Sequence, residues 1–312
     1  MFHELKVAAV VPAYMEANHI ASVIATMPDL VDHIVIVDDA STDDTSIRAR
    51  EAADGRTVVI SLPSNQGVGG AVLTGHRTAM DLGADVCVVM AGDGQMDPAY
   101  LPALLEPIAS GRAQFTKANR FYGRGSFIGM PRLRVVGNIA LSFLTKAASG
   151  YWNLFDPQNG YTAIHRDALA RLPWDQLARR YDFENDLLIN LNILRVPAVD
   201  VPVPARYGAE VSGMNLATVG PRIALRLVRG FWTRMWWKYV LQSFSAVALL
   251  LFSGIALVLL GLVVGVWILV ETLGPPVASP GTVILCVAPL LSGLHMLLFA
   301  MMLDIQESTP RP

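Results

Sequence analysis

The chain has 312 residues, enough for one full domain and an appendage, and 53% of them are hydrophobic. A formal net charge of −2 says little about partners and gives no reason to expect nucleic acid. Two cysteines and six histidines without ligand spacing indicate neither a disulfide framework nor a zinc site.

The first elements alternate. Residues 7–11 read as a strand, too short for the apolar core of a signal peptide and followed by Pro12. A helix over 17–27 comes next, then a strand over 34–37 and a helix over 43–53, entered through Ser41 and Thr42. A strand over 57–62, a helix over 70–82 and a strand over 86–90 follow. This rhythm predicts an α/β fold, with a mostly parallel sheet and helices on both faces. Beyond residue 120 the pattern loosens. Residues 121–134 are loop-like, and 133–149 have helical apolar spacing. A turn from Asp156 leads into a strand over 161–165. Residues 182–194 read as a helix with acids at its start, where the helix dipole favours them. A short strand covers 199–203.

The C-terminal part changes character. Arg222, Arg226 and Arg229 recur at helical spacing, followed by Phe231, Trp232, Trp236, Trp237 and Tyr239. An amphipathic helix lying on the inner leaflet of a bilayer fits 221–242. Residues 239–270 and 272–303 carry no Asp, Glu, Lys or Arg. About 20 apolar residues span a bilayer core, so two spans are expected, at about 244–270 and 281–303. The link holds Gly274, Pro275, Pro276 and Pro280 and no Lys or Arg, whereas arginines and Lys238 precede the first span. The positive-inside rule then keeps the N-terminal region cytoplasmic, in an integral protein of the inner or plasma membrane. The expected organisation is a catalytic domain over 1–220, an interfacial segment over 221–242 and a hairpin over 243–312.

Polar residues end each of the first strands. In a parallel sheet these ends share one rim, where open α/β sheets bind ligands. The rim would gather Tyr14, Glu16, Asp38, Asp39 and Asp93. Tyr14 can pack on a nucleobase, and carboxylates can accept from base or ribose hydrogens. Asp39, Ser41 and Thr42 equally suit a helix cap, and both readings stand for Asp38 and Asp39. Gly92 and Gly94 flank Asp93, permitting a sharp turn and close approach of a ligand. Asp93 and the amide oxygen of Gln95 can share one hard divalent cation, which can in turn hold a pyrophosphate. The alternative is a polar turn capping the helix that begins near Pro98. Residues 65–70, Asn-Gln-Gly-Val-Gly-Gly, open a helix, but Val72 stands where a dinucleotide fingerprint needs its third glycine. A nicotinamide cofactor is not expected.

Val11-Pro12-Ala13-Tyr14-Met15-Glu16, the Asp38-Asp39 stretch through Thr45, the glycine-rich turn before Ala71 and Gly92-Asp93-Gly94-Gln95 occur in the order found in glycosyltransferase family two. With the hairpin, the chain resembles the polyprenyl-phosphate hexose synthases, of the dolichyl-phosphate mannose synthase type. That resemblance implies a GT-A fold, a nucleoside-diphosphate sugar donor, a divalent metal (Mg2+ or Mn2+) and an undecaprenyl or dolichyl phosphate acceptor. It implies an inverting transfer of a hexose. By resemblance Pro12, Tyr14, Glu16 and Asp39 contact the nucleoside, and Asp93 and Gln95 hold the metal. Arg120 lies near the donor phosphates and Arg206 closes over the site. Glu184 and Asp186 sit near the acceptor, and Asp156 opens an acceptor-side loop. Ala91 departs from the family pattern, which has a carboxylate there. Two other readings are an enzyme elongating a glycan or glycolipid, and a noncatalytic scaffold that binds nucleotide sugars. A homo-oligomer is left open.

Overall fold

In a computed structural model of the protein, the described residues are 1–121, 132–204, 216–273 and 278–308. The run Val-Ala-Ala-Val-Val-Pro-Ala forms β1 (Val7–Ala13), buried at every position except Pro12. A continuous apolar run, rather than an alternating one, marks a strand covered on both faces. β2 (His33–Asp38), β3 (Thr57–Ser61), β4 (Val86–Val89), β5 (Phe115–Asn119), β6 (Thr162–His165) and β7 (Ala198–Pro202) complete one sheet in the order β3-β2-β1-β4-β6-β5-β7. β1, β2, β3 and β4 pair in parallel, as do β5 and β7, whereas β6 runs antiparallel to both its neighbours. The mostly parallel sheet expected from the sequence is present.

Helices cover both faces. On one side α3 (Val68–Asp81) and α7 (Phe183–Ile193) supply Ala71, Val72, Leu187 and Leu188 to a core with Val10, Val35 and Val37. On the other, α1 (Ile20–Ala25) and α4 (Leu101–Ala109) pack Ile20, Ile24, Leu104 and Leu105 against Val11 and Ile36. α2 (Thr45–Glu51), α5 (Arg132–Ser149), α6 (Arg166–Ala170) and α8 (Leu216–Arg234) complete the helices of this part. Gly75 lets α3 lie directly on the sheet: a Cβ there would stand 2.2 Å from Val10 Cγ1.

Two differences from the sequence expectation have local causes. β5 was not expected, because Thr116 and Lys117 interrupt its apolar pattern. Both are buried but bonded, Thr116 Oγ1 donating to Leu104 O at 2.8 Å and Lys117 Nζ to Asn159 O. Buried polar groups with partners cost little. α1 starts at Ile20 rather than 17 because Met15, at φ +61°, and the two residues after it turn toward the loop following β2.

The chain divides into two compact units, Met1–Trp232 and Thr233–Thr309. The second holds a π-helical segment, Met235–Leu241, and the helices α9 (Ala246–Glu271) and α10 (Pro280–Ser308). Both helices are long and apolar enough to cross a membrane, with mean hydropathy of 2.9 and 2.2 over their most apolar windows. Only 22% and 11% of those windows are buried, unlike the core helices of a soluble domain. The pair packs through glycines. A Cβ on Gly293 would stand 2.7 Å from Gly254 O, and one on Gly261 would stand 2.6 Å from Leu290 Cγ. Small residues bring membrane helices close enough for dispersion to hold them. Arg234 forks onto Asp304, which also accepts from Tyr239 Oη, and Lys238 pairs with Glu307. These bonds tie the residues before α9 to the last turns of α10. Four link residues, 274–277, lie outside the described residues.

Candidate active site

The rim is built around the end of β1. Gly92 N donates to Pro12 O at 3.2 Å on one side, and Asp39 N donates to Ala13 O at 2.9 Å on the other. The Pro12–Ala13 pair is thus flanked by the acidic ends of β2 and β4. A Cβ on Gly92 would stand 3.2 Å from Ala13 Cβ, so glycine is what lets this turn lie so close.

Asp39 is buried and its two carboxylate oxygens accept from Gln66 N at 2.7 Å and Gly67 N at 2.8 Å. It anchors the loop that opens α3, which disposes of its capping role on α2. An ionised carboxylate has about four lone-pair sites, so Asp39 keeps acceptor capacity toward the rim. Asp38, equally buried, accepts from Ser41 N at 3.1 Å and shapes the turn. Tyr14 is half exposed at the rim, and Glu16 is partly buried beside it.

The strained residues here are not glycines. Met15 and Ala40 have φ of +61° and +59°, a conformation that costs a non-glycine residue on the order of 1–3 kcal/mol. Cross-loop bonds hold them: Met15 N to Ser41 Oγ at 3.0 Å, Glu16 N to Thr45 Oγ1 at 2.8 Å and Ala17 N to Asp43 Oδ2 at 3.2 Å. Burial would raise the Asp43 carboxyl, but bonds from the Thr45 side chain and backbone and from Ala17 outweigh it and hold the group below its usual range. Ser41, Asp43 and Thr45 therefore latch one rim loop to the other. Sequence alone suggested a helix entrance for this stretch.

At the end of β4, Asp93 Oδ1 accepts from Gln95 N at 2.9 Å across Gly94, which takes φ +72°. The cap before Pro98 is made instead by Asp97, whose Oδ1 accepts from Ala99 N at 3.0 Å. Asp93 is therefore free of the capping role. Its second oxygen and the Gln95 side chain have no hydrogen-bond partner among the described residues. Asp93 also lines an open cavity of about 470 Å3 with His19 and Asp97. No group of three or more His, Cys, Asp or Glu side chains that could hold a metal occurs among the described residues. A small hard cation nevertheless suits one carboxylate and an amide oxygen when substrate phosphates supply further ligands, so Asp93 and Gln95 fit such an ion.

Arg120 and Asp156 belong together. The guanidinium forks onto the carboxylate at 2.7 and 3.1 Å, and Arg120 N adds a bond at 3.2 Å. The Asp156 side chain is 1% exposed and that of Arg120 is 38% exposed. Asp156 is placed to aim the arginine. Asp186 accepts from Ala178 N at 2.8 Å and pairs with Arg226 at 3.5 Å, while Asp182 pairs with Arg226 at 2.9 Å. Burial pushes the Asp186 carboxyl up, and the Ala178 bond and Arg226 offset part of this. Asp186 thus ties α7 to α8. The Glu184 carboxyl, in the first turn of α7, accepts from its own backbone N–H. Burial raises its carboxyl and Lys117 opposes the rise. Arg206 lies outside the described residues.

Two charges, Lys117 buried and Asp200 half-buried, escaped the sequence reading. Lys117 is pulled down by burial and supported by Glu184, Asp156 and Asp200. Asp200, which accepts from Asn119 Nδ2 and Phe155 N, is pushed up to about 6 by burial. Each is a lone charge in a short strand, which gives no periodic signal. Lys117, Glu184, Pro12 and Ala91 line a cavity of about 170 Å3 that reaches from the rim into the core.

Comparison with known proteins agrees with this geometry. Residues 8–172 match the sequence profile of Glycosyl transferase family 2. A UDP-N-acetylglucosamine–dolichyl-phosphate N-acetylglucosaminyltransferase of Methanococcus voltae is 30% identical over 236 residues, covering 70% of this chain and 93% of that protein. An undecaprenyl-phosphate mannosyltransferase of Micrococcus luteus is 30% identical over 204 residues, covering 64% and 83%. Among solved structures, glucosyl-3-phosphoglycerate synthase of Mycobacterium tuberculosis, crystallised with Mn2+, UDP-glucose and glycerol 3-phosphate, superposes with a TM-score of 0.55 at 25% identity. That match covers 74% of this chain and 80% of the other. The sheet order, the rim and these matches agree: this chain belongs to glycosyl transferase family 2 and is a glycosyltransferase with the GT-A fold.

Proposed function

We propose that the protein moves a hexose from a nucleoside diphosphate to a polyprenyl phosphate at the cytoplasmic face of a membrane, with inversion at the anomeric carbon. One observation carries this reading. The Pro12–Ala13 peptide is flanked by Asp39 and by the Gly92–Asp93 turn, so the residues assigned here to the base and to the diphosphate share one rim. The relatives that act on dolichyl and undecaprenyl phosphates support the acceptor. The two apolar helices suit an enzyme whose second substrate stays in the bilayer.

In this account Tyr14 packs on the base, and Asp39 and Glu16 accept from base or ribose hydrogens. Asp93 and Gln95 hold Mg2+ or Mn2+, which when bound offsets charge growing on the departing diphosphate. The Arg120 guanidinium, aimed by Asp156, offers donors to the same charge. Positive character develops at the anomeric carbon as the bond to the diphosphate lengthens. The lipid phosphate is already an anion near neutral pH, so it needs placement more than deprotonation. Attack opposite the diphosphate inverts the centre. Glu184 orients sugar hydroxyls or the acceptor. α9 and α10 span the bilayer, and Arg229, exposed on α8, attracts anionic headgroups by about 1 kcal/mol.

Incubation of purified protein with labelled nucleotide sugars and polyprenyl phosphate tests the reading. A lipid-linked monosaccharide is the expected product. A longer glycan, or donor binding without any lipid product, contradicts it.

A further inference from the structure

β5 and β7 carry a charge cluster in which Asp200 has no role under the transfer reading. Lys117 and Asp200 are register partners in this parallel pair, and Asn119 stands two residues farther along β5 on the same face of the sheet. Asp200 Oδ2 accepts from Asn119 Nδ2 at 3.1 Å and from Phe155 N. Each donor sits one residue before a member of the Arg120–Asp156 fork. The loop that carries Asp156 is pinned twice more. Asn153 Nδ2 donates to Ala198 O on β7 at 2.6 Å, and Lys146 Nζ on α5 donates to Trp152 O at 3.0 Å. Asp200 bonds to both the strand end and the loop.

Fold stability does not account for a carboxylate here. Asp200 Oδ1 is buried and has no hydrogen-bond partner among the described residues. Burial raises the carboxyl to about 6; the Phe155 bond, Lys117 and Lys146 oppose the rise, and Asp156 adds to it. A carboxyl whose pKa is higher in the folded than in the unfolded chain destabilises the fold when ionised. What the charge supplies is bond strength. Hydrogen bonds to an ionised acceptor are roughly twice as strong as neutral ones, and these two end on the residues next to Arg120 and Asp156. We infer that Asp200 is a positioning residue, a clamp whose carboxylate fixes the end of β5 against the loop so that Asp156 aims Arg120 at the diphosphate. The inference rests on the transfer reading above and adds to it a residue that touches no substrate.

A double-mutant cycle in the full-length protein tests the clamp, because a residue that works through Arg120 loses its effect once Arg120 is gone. Asp200→Asn keeps the shape and an acceptor oxygen but removes the charge. With Mn2+, a nucleotide-sugar donor and polyprenyl phosphate, it is expected to lower kcat/KM by about fivefold or more, the scale of a misplaced guanidinium. Its Tm at about pH 7.5 is expected to be unchanged or raised. In an Arg120→Ala background the same substitution is expected to change kcat/KM by less than about twofold. Asn119→Ala cuts the clamp from the β5 side and is expected to follow the same pattern, so the test survives if Asp200→Asn fails to fold. Calorimetric titration of UDP-glucose, UDP-N-acetylglucosamine and GDP-mannose without acceptor repeats the cycle in binding. No loss, a loss undiminished without Arg120, or a loss matched by a fall in Tm overturns the clamp and leaves lipid transfer standing. Coupling in donor binding without any lipid product supports the clamp and overturns the acceptor reading. Binding of none of these donors overturns both.

Discussion

At the scale of single residues, Asp93 and His76 make opposite demands. Among the described residues, Asp93 keeps one carboxylate oxygen without a hydrogen-bond partner at the rim. Asp93→Ala is expected to lower kcat/KM by about 10²–10³ with little change in Tm, the range seen when one electrostatic stabiliser is removed. Full activity in that variant removes the metal role. Asp156→Asn keeps the shape but weakens the fork on Arg120. A guanidinium that drifts by about 1 Å can cost 10²-fold, so a fall of about tenfold or more in kcat/KM is expected, read in steady-state kinetics. His76 is 2% exposed, and burial lowers its pKa from 6.5 to about 4. The unfolded chain therefore binds this proton first as pH falls. Stability is intact above about pH 6.5 and declines toward pH 4, by up to about 3 kcal/mol from this one group. His76→Leu is expected to flatten that acid limb in urea melts between pH 7 and 4, and an unchanged limb contradicts the assignment. The place of Asp93 just beyond a strand end was legible in the sequence because glycines bracket it at the end of an apolar run. His76 was not, since a histidine inside an amphipathic helix looks the same whether bonded, exposed or orphaned.

At the scale of elements, periodicity was informative wherever one chemistry ran the length of a strand. β1, β2 and β4 are near-continuous apolar runs and were legible. β5 was hidden by Thr116 and Lys117, whose bonds to Leu104 and Asn159 are made by distant parts of the chain. The start of α1 was misplaced for a similar reason, because the Ser41, Asp43 and Thr45 latch captures the residues before it. α3 offers a test of packing against propensity. In an open helix Gly75→Ala gains about 1 kcal/mol. Here the new Cβ would meet Val10 Cγ1 at 2.2 Å, and overpacking costs about 1–3 kcal/mol. A net fall in Tm is expected, partly restored by adding Val10→Ala. A rise in Tm for Gly75→Ala alone shows that α3 does not sit so close.

At the scale of the whole molecule, the chain joins a nucleotide-sugar fold to two helices with the length and hydropathy of membrane spans. That organisation was legible because it rests on composition over long stretches rather than on the placement of any one side chain. The distinction between residues that touch substrate and residues that aim them was not legible. Asp156 and Asp186 read as site acids, yet each is bonded to an arginine. Only tertiary structure separates them from Glu184. The most direct measurement is release of nucleoside diphosphate by protein in vesicles, with and without polyprenyl phosphate and with a saturating labelled donor. Release is expected to rise by about 100-fold or more with the lipid, matched mole for mole by label in the lipid fraction. Release that ignores the lipid, or label that stays in water-soluble product, contradicts the account.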